Sequence, residues 1–448
     1  VENNKSTISL TGAVAVIAAC MIGTGVFTSL GYQVLGIKSV FAIIVLWATG
    51  GLAALCGALV YAELAVRYPG SGGEYNYLSR IYHPALGFLS GWTSATIGFA
   101  APIAAAAMAF GTYFGYIFPE INATITAVIV VLVAALINFA GISLSEIIQK
   151  GTTYLNLLLI IVLIFCGITM TQNIDHFSFT MGAADWKAIA SNSFAVSLIY
   201  VSFAYSGWNA VTYVAGEVKN PNRTVPRSLI ISVILVTVLY ILLNFVFLFA
   251  VPMEELAQKF DDKGNPVGPI VAATAAEAIF GVLGSKIISG LICLALLSSV
   301  LGMTIAGPRV TDKIGQDMPA LKFLSFRNKS GAPIIAILLQ VAISITLALT
   351  AAFDVVIRYV GFSLALFTTL TVAGILVVRW VKKEPIAAGF YKTPLFPVPA
   401  IIFILLEIWM LTFTMIDHPI ESLAGLGTVL TGLLVYYIFN NSKNSAKI

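Results

Sequence analysis

Apolar residues run along this chain in blocks of about twenty or more, separated by short polar stretches, and the blocks recur from one end to the other. A helix of about 20 apolar residues crosses the hydrocarbon core of a bilayer. Spans are predicted near 9–35, 39–66, 84–116, 121–141, 147–171, 188–217, 227–251, 284–312, 333–352, 355–382, 394–415 and 420–440, which makes twelve. Period-two alternation is nearly missing, and in lipid only helices and closed barrels satisfy every backbone group, so the spans are helices. The predicted fold class is an all-α polytopic membrane protein. The polar start "VENNKS" leads directly into the first block, which is too long for the apolar core of a secretory signal and reads as a span.

Composition sharpens this picture. With 59% hydrophobic and 10% charged residues, the 448-residue chain is too apolar for a string of soluble domains. The 24 basic residues fall about three to one on one side of the predicted topology, among them Lys5, Arg67, Arg80, Lys219, Arg223, Lys329, Arg379 and Lys447. Lys38, Lys187, Lys259, Lys263, Lys286 and Arg358 form the poorer side. That asymmetry puts both termini in the cytoplasm, and the membrane is expected to be a bacterial-type cytoplasmic one. Cys20, Cys56, Cys166 and Cys293 all lie inside predicted spans and read as small apolar packers rather than a disulfide framework. The longest outer segment, 252–283, carries "MEELAQKFDDKGNPVG" followed by an Ala-rich helical pattern and is expected to form a partly ordered cap. Nothing marks a nucleic-acid partner, and lipid is the surrounding medium.

Glycines interrupt two spans near mid-depth. The first holds "MIGTGVF", residues 21–27, and the sixth holds Ser206-Gly207 within "FAYSGWNAVTYVAGEVKNPNRTVP". If five spans form one repeat and the next five an inverted copy, spans one and six are counterparts, and paired interruptions there point to a transporter's binding site. Unwinding frees backbone groups that a zwitterion can satisfy. Amides around Thr24, Gly25 and Val26, following Gly23, open a half-helix and suit a carboxylate. Carbonyls of Met21, Phe203, Ala204 and Ser206 suit an ammonium, which only donates. Taken alone, "GTG" reads first as a place where two membrane helices approach closely, and the second break shifts the balance towards a site.

These residues resemble the amino acid–polyamine–organocation superfamily of permeases, closest to its L-type amino acid transporter branch. The resemblance runs from Gly23 to about Pro319. It rests on "IGTGVF", on "PGSGGEYNYLSRIYHPALGFLSGW", and on "FAYSGWN" with its exit "GEVKNPNRTVP". It implies two inverted five-helix repeats, 9–171 and 188–382, with helices 1 and 6 unwound, followed by two peripheral helices within 394–440. It also implies amino acid transport by alternating access. On these positions Thr24 and Gly25 would bind the carboxylate, and Met21, Phe203 and Ser206 would offer carbonyls to the amino group. Phe203 would in addition close over the substrate as an aromatic lid, its other reading being a buried core residue. Gly98, Phe99, Tyr205, Asn209, Gly302 and Met303 would line the side-chain pocket. Asn209 has a second reading as an interhelical hydrogen-bonder. The fifth span departs from many relatives, with Asn156 where they carry a lysine. Ser298 and Ser299 lie where sodium-coupled relatives use hydroxyl ligands, so Asn156, Ser298 and Ser299 are either a cation site or plain helix bridges.

No carboxylate is expected at mid-depth in the pocket, which favours neutral L-amino acids over cationic ones. Glu63 and Glu217 are expected to pair with Arg67 and Arg223 at inner helix ends, and Glu407 is the one acid well inside a span. The expected function is secondary transport of neutral amino acids, by exchange or by coupling to a proton or sodium, with no cofactor and an accessory subunit left open. A cationic amino acid or polyamine exchanger is the alternative within the same fold. An enzyme would need a nucleophile, metal or acid–base cluster, whereas His83, His176 and His418 are dispersed. A channel would call for a ring-forming filter or a row of charged pore residues.

Overall fold

A computed structural model of the chain describes residues 8–445 apart from 71, 141, 172–173, 180, 258, 261–265, 268–270, 329–330 and 388. Lys5, Lys263, Lys329 and Lys447, used above for the charge asymmetry, lie outside the described residues. The helices follow in chain order as α1 Leu10–Met21, α2 Thr24–Gly36, α3 Val40–Arg67, α4 Gly73–Ile81, α5 Pro84–Thr93, α6 Ala100–Ile117, α7 Ala123–Ala140, α8 Ile142–Met170, α9 Ala183–Ile189, α10 Asn192–Tyr205, α11 Pro221–Ala250 and α12 Met253–Leu256. After two antiparallel two-residue strands, β1 Lys259–Phe260 and β2 Pro266–Val267, come α13 Val271–Asp317, α14 Ile334–Thr350, α15 Phe353–Leu376, α16 Val398–Asp417 and α17 Pro419–Ser445.

Local chemistry sets where these helices start. Ser9 and Ser39 accept from the Gly12 and Ala42 amides, and Ser191 accepts from the Phe194 amide, each satisfying a first-turn donor. Pro84 and Pro221 sit at the first helical position, where a missing N–H costs nothing. At 28 residues α3 is about 42 Å long, enough to cross a bilayer with some tilt.

Among the described residues, nine helices are long and apolar enough to span a membrane, and three shorter apolar helices lie at Ala123–Phe139, Tyr154–Met170 and Ile334–Thr350. The protein is an integral, multi-pass membrane protein. Large apolar side chains such as Leu136, Phe165, Leu405 and Leu434 face outward, as a lipid-facing surface requires. The Ala-rich stretch of the expected outer cap is the first part of α13, which turns at Gly281 (φ +73°) before continuing inward.

Inside, α3 packs on α11, α13 on α6 and α8, α1 on α11, and α2 on α10. Lipid tails are as apolar as the helix faces, so close packing of small residues holds such a bundle together. The last two spans are the least enclosed, with 33% and 17% of their apolar windows buried against 44–67% for the other seven. Even so, α16 is anchored: Phe403 and Trp208 fill the space over Gly57, and Trp409 stacks on Phe194.

At the end of the bundle that carries α4, Glu63 pairs with Arg67 at 2.8 Å and with Arg379, and it accepts from the Thr393 amide. The expected Glu217–Arg223 pair does not form among the described residues; Glu217 is exposed and instead offers its backbone carbonyl to the Ile8 amide. At the end that carries α9, buried Arg358 joins Asp354 at 2.7 Å, Glu421 at 2.8 Å and the Tyr200 hydroxyl at 2.8 Å. Glu407 is buried in α16 with Oε2 unpartnered.

Candidate functional site

The backbone leaves helical geometry at both glycine positions, and the fold brings the two stretches face to face. Helix α1 stops at Met21, Ile22 takes an extended conformation (φ −78°, ψ 95°), and α2 restarts at Thr24 with no side chain capping its first turn. Its leading amides are therefore available to an anion, as at any uncapped N-terminus. Helix α10 stops at Tyr205, Ser206 is extended (φ −53°, ψ 148°), and Gly207 turns the chain at φ +91°. A 3₁₀ segment, Ala210–Glu217, follows. Gly207 is needed twice over: its φ disfavours any side chain, and a Cβ there would lie 2.8 Å from the Cys20 carbonyl oxygen.

The closest approach between the breaks is at Gly25, where a Cβ would stand 2.5 Å from Ala204 Cα and 2.6 Å from Ala204 Cβ. The glycine is thus explained by the contact of α2 with α10, a constraint that local sequence does not reveal. Gly23 is different, since a Cβ there would meet only the Ser299 hydroxyl at an ordinary 3.5 Å. Ser299 therefore borders the first break from α13.

Three of the four carbonyls expected to receive an ammonium, those of Met21, Phe203 and Ala204, already have partners. The Tyr240 hydroxyl of α11 lies 2.6 Å from the Met21 carbonyl and 3.1 Å from the Ala204 carbonyl. One hydroxyl carries one proton, so it can donate to only one of the two at a time. The Phe203 carbonyl accepts from the Ser206 amide. Tyr240 is fully buried and packs edge-on against Trp47 and Tyr205, which fixes its ring. It is a residue beside the breaks that the sequence does not single out: in "TVLYILLN" it is one aromatic inside an apolar run.

The remaining residues divide by burial. Met21, Thr24, Gly25, Val26, Phe203, Ala204 and Tyr205 are buried, whereas Gly23, Gly98, Phe99, Ser206, Asn209, Gly302 and Met303 keep part of their surface. The Tyr205 side chain reaches α3, with its hydroxyl donating to the Trp47 carbonyl at 3.1 Å. Gly98 ends a π-turn, Ser94–Gly98, and Phe99 follows it; such one-turn π segments recur at functional sites. The Phe99 Cβ and the Gln340 amide crowd Gly307, and Gln340 also donates to the Met303 carbonyl, so α6, α13 and α14 form one wall. Asn156 is buried in α8 with Oδ1 unpartnered, and Ser298 is buried on α13, which α8 packs against. Among the described residues no group of His, Cys, Asp or Glu could hold a metal ion.

Asn209 donates to Glu74 Oε1 at 2.9 Å, which carries its interhelical reading. Glu74 arrives from α4, outside the spans, and brings a carboxylate to the segment that follows the second break. Tyr61 donates to the same oxygen at 2.8 Å. Burial pushes the Glu74 carboxyl up to about 7, against the lowering effect of hydrogen bonds from Tyr61, Asn209 and Ser90.

Both ends of the broken pair are tied down. On the α4 side, the Ile8 amide donates to the Glu217 carbonyl at 3.1 Å and the Lys219 amide to the Ile8 carbonyl at 2.9 Å, so α1 and the 210–217 segment are joined. On the α9 side, Tyr32 of α2 stacks on Tyr200 of α10 at 5.5 Å and on Phe353 at 5.7 Å.

Comparison with known proteins shows the family of the chain. Residues 8–438 match the family model described as amino acid permease. The chain is 29% identical to the human large neutral amino acids transporter small subunit 2 over 443 residues, 97% of this chain and 80% of that protein. It is 28% identical to the serine/threonine exchanger SteT of Bacillus subtilis (strain 168), covering 98% of both chains. Identity to the human b(0,+)-type amino acid transporter 1 is 26%, over 98% of this chain and 89% of that protein.

Proposed function

Because the chain belongs to the amino acid permease family, we propose that it carries neutral L-amino acids across the membrane by alternating access, with the substrate seated between the two helix breaks. It is an amino acid transporter and not an enzyme. Neutral cargo, exchange of one amino acid for another, and the seat itself are our reading. The observation that carries it is the juxtaposition of the uncapped start of α2 with the carbonyl ends of α1 and α10, joined at Gly25 and Ala204. Helix dipoles there favour a carboxylate on α2 and an ammonium on the other two ends. Thr24 and Gly25 take the carboxylate. Met21, Phe203, Ala204 and Ser206 take the amino group, which must share with Tyr240. Gly98, Phe99, Gly302 and Met303 flank the side chain, and Phe203 closes over it.

In this reading the nine long and three short helices are twelve spans, 9–171 and 188–382 are inverted repeats, and 394–440 adds two outer helices. The α4 end and both termini face the cytoplasm of a bacterial-type cell. The bridge between Ile8 and the 217–219 segment then closes the inner side, and the Tyr32–Tyr200–Phe353 stack with Arg358 closes the outer side. Alternation opens one set while the other holds.

The b(0,+)-type relative fits a cationic alternative, but the acid near the breaks, Glu74, is committed to Tyr61 and Asn209. A cationic side chain would have to displace these donors. Asn156, Ser298 and Ser299 supply only neutral oxygens, so we read them as helix bridges and not as a sodium site. Calorimetry of the purified protein against alanine, serine, leucine, arginine and putrescine tests the cargo. Saturable binding of the neutral amino acids alone is expected; tighter binding of arginine or putrescine would overturn this reading.

A further inference from the structure

Glu74 is a buried acid that the transport reading does not use, and its surroundings are unusual. It is 4% exposed, and among the described residues it has no cationic partner. Each neighbouring element faces it with a neutral group: Tyr61 from α3, Ser90 from α5, Asn209 and Tyr213 from the segment after the second break, and Tyr77 from α4 itself. From α15, Thr371 approaches Tyr61. Nearby cations are engaged elsewhere. Arg67 and Arg379 hold Glu63, Lys382 donates to the Arg80 carbonyl at 3.0 Å, and Arg80 is exposed.

The same carboxyl sits where the inner end is clamped. The Gly72 amide donates to the Tyr213 carbonyl at 3.3 Å, and the Tyr213 ring would lie 2.9 Å from a Cβ on Gly73. The loop before α4 therefore rests on the 210–217 segment, which in turn holds α1 through Ile8. Separating these elements is what an opening to the cytoplasm requires, and it would bring water to Glu74.

We propose that Glu74 is the proton-binding site of the inner gate: the protonated carboxyl belongs to the closed gate, and opening releases that proton to the cytoplasm. This rests on the alternating-access reading above. The physical reason is desolvation. A carboxylate buried without a cation is costly, and hydrogen bonds from neutral donors return only part of that cost. A carboxylic acid keeps an acceptor for Tyr61 and Asn209 at far smaller cost. Burial accordingly raises the carboxyl to about 7 in the closed form, from an ordinary value of 4.5 when hydrated. The closed form binds the proton more tightly, so acidification through this window favours closure and alkalinisation favours opening. Between pH 8 and pH 6 the closed-to-open ratio should rise about tenfold.

The test uses the full chain in inside-out vesicles, with the native cysteines replaced and a single cysteine at Ala215, which is buried in the clamped segment. Labelling by a membrane-impermeant maleimide, corrected for thiol ionisation with a cysteine at exposed Asn222, should quicken about tenfold from pH 6 to pH 8. Glu74→Gln should remove that dependence and leave labelling slow throughout. Tyr61→Phe removes one donor to the carboxylate and should move the midpoint to higher pH. A pH dependence unchanged in Glu74→Gln, or a midpoint unmoved in Tyr61→Phe, overturns the proposal. If instead the parent labels with the expected pH dependence but exchanges no amino acid, the transport reading fails and the proton site stands.

Discussion

Replacing Gly25 by alanine tests the site at its tightest point. The added methyl would stand 2.5 Å from Ala204 Cα, 2.6 Å from its Cβ and 3.1 Å from its nitrogen, whereas carbon atoms in contact prefer about 3.5–4.0 Å. The starts of α2 and the end of α10 must therefore separate by about 1 Å. Overpacking of this kind costs about 1–3 kcal/mol. The same displacement moves the α2 amides away from the carbonyls opposite them. A loss of about 1.4–2.8 kcal/mol in binding corresponds to about ten- to a hundredfold in Kd. Gly23→Ala is the internal control, since its methyl meets only Ser299 at 3.5 Å. Calorimetry with the neutral amino acid that binds the parent best, beside thermal unfolding of each variant, separates site damage from misfolding. Gly25→Ala should fold and lose at least tenfold in affinity, while Gly23→Ala stays within about threefold. Parent-like affinity in Gly25→Ala would show that the breaks do not meet rigidly there, and the reasoning would fall.

Tyr240→Phe removes the hydroxyl shared by the Met21 and Ala204 carbonyls; leaving such buried acceptors without a donor costs about 1–3 kcal/mol. Exchange measured by efflux from proteoliposomes should drop about tenfold or more, and an unchanged rate would mean that the hydroxyl is incidental to the cycle. Phe203→Ala should slow exchange more than it weakens equilibrium binding, because a lid matters most while the opposite side opens; equal loss in both would make Phe203 a ground-state contact only. Replacing sodium by choline at constant ionic strength should leave substrate affinity unchanged in the parent and in Ser298→Ala. A sodium-dependent gain that Ser298→Ala reduces would make Asn156, Ser298 and Ser299 a cation site.

The spans were legible because each apolar block answers to one medium, and most of their predicted bounds differ from the observed helices by a few residues. The larger miss, at α13, arose because the Ala-rich stretch from Val271 is helical on both sides of a turn at Gly281, so polarity alone did not mark its start. Paired glycines marked in the sequence the two places where the backbone leaves helical geometry. What closes them was not legible. Gly25 meets Ala204 across 179 positions of chain, Tyr240 reaches two carbonyls from a separate helix, and Glu74 meets Asn209 135 positions away. These are properties of how helices are juxtaposed, which the periodicity of any one helix does not carry. The π-turn at Ser94–Gly98 is of the same kind, since nothing in "SATIG" distinguishes it from ordinary helix.

The central claim is that the broken-helix site moves a neutral amino acid through the membrane, and counterflow in proteoliposomes measures this most directly. Vesicles loaded with an unlabelled neutral L-amino acid and diluted into a trace of its radiolabelled form should accumulate label transiently, well above empty vesicles, with arginine giving no such overshoot. Equal label in loaded and empty vesicles, or an overshoot with arginine alone, would contradict the account.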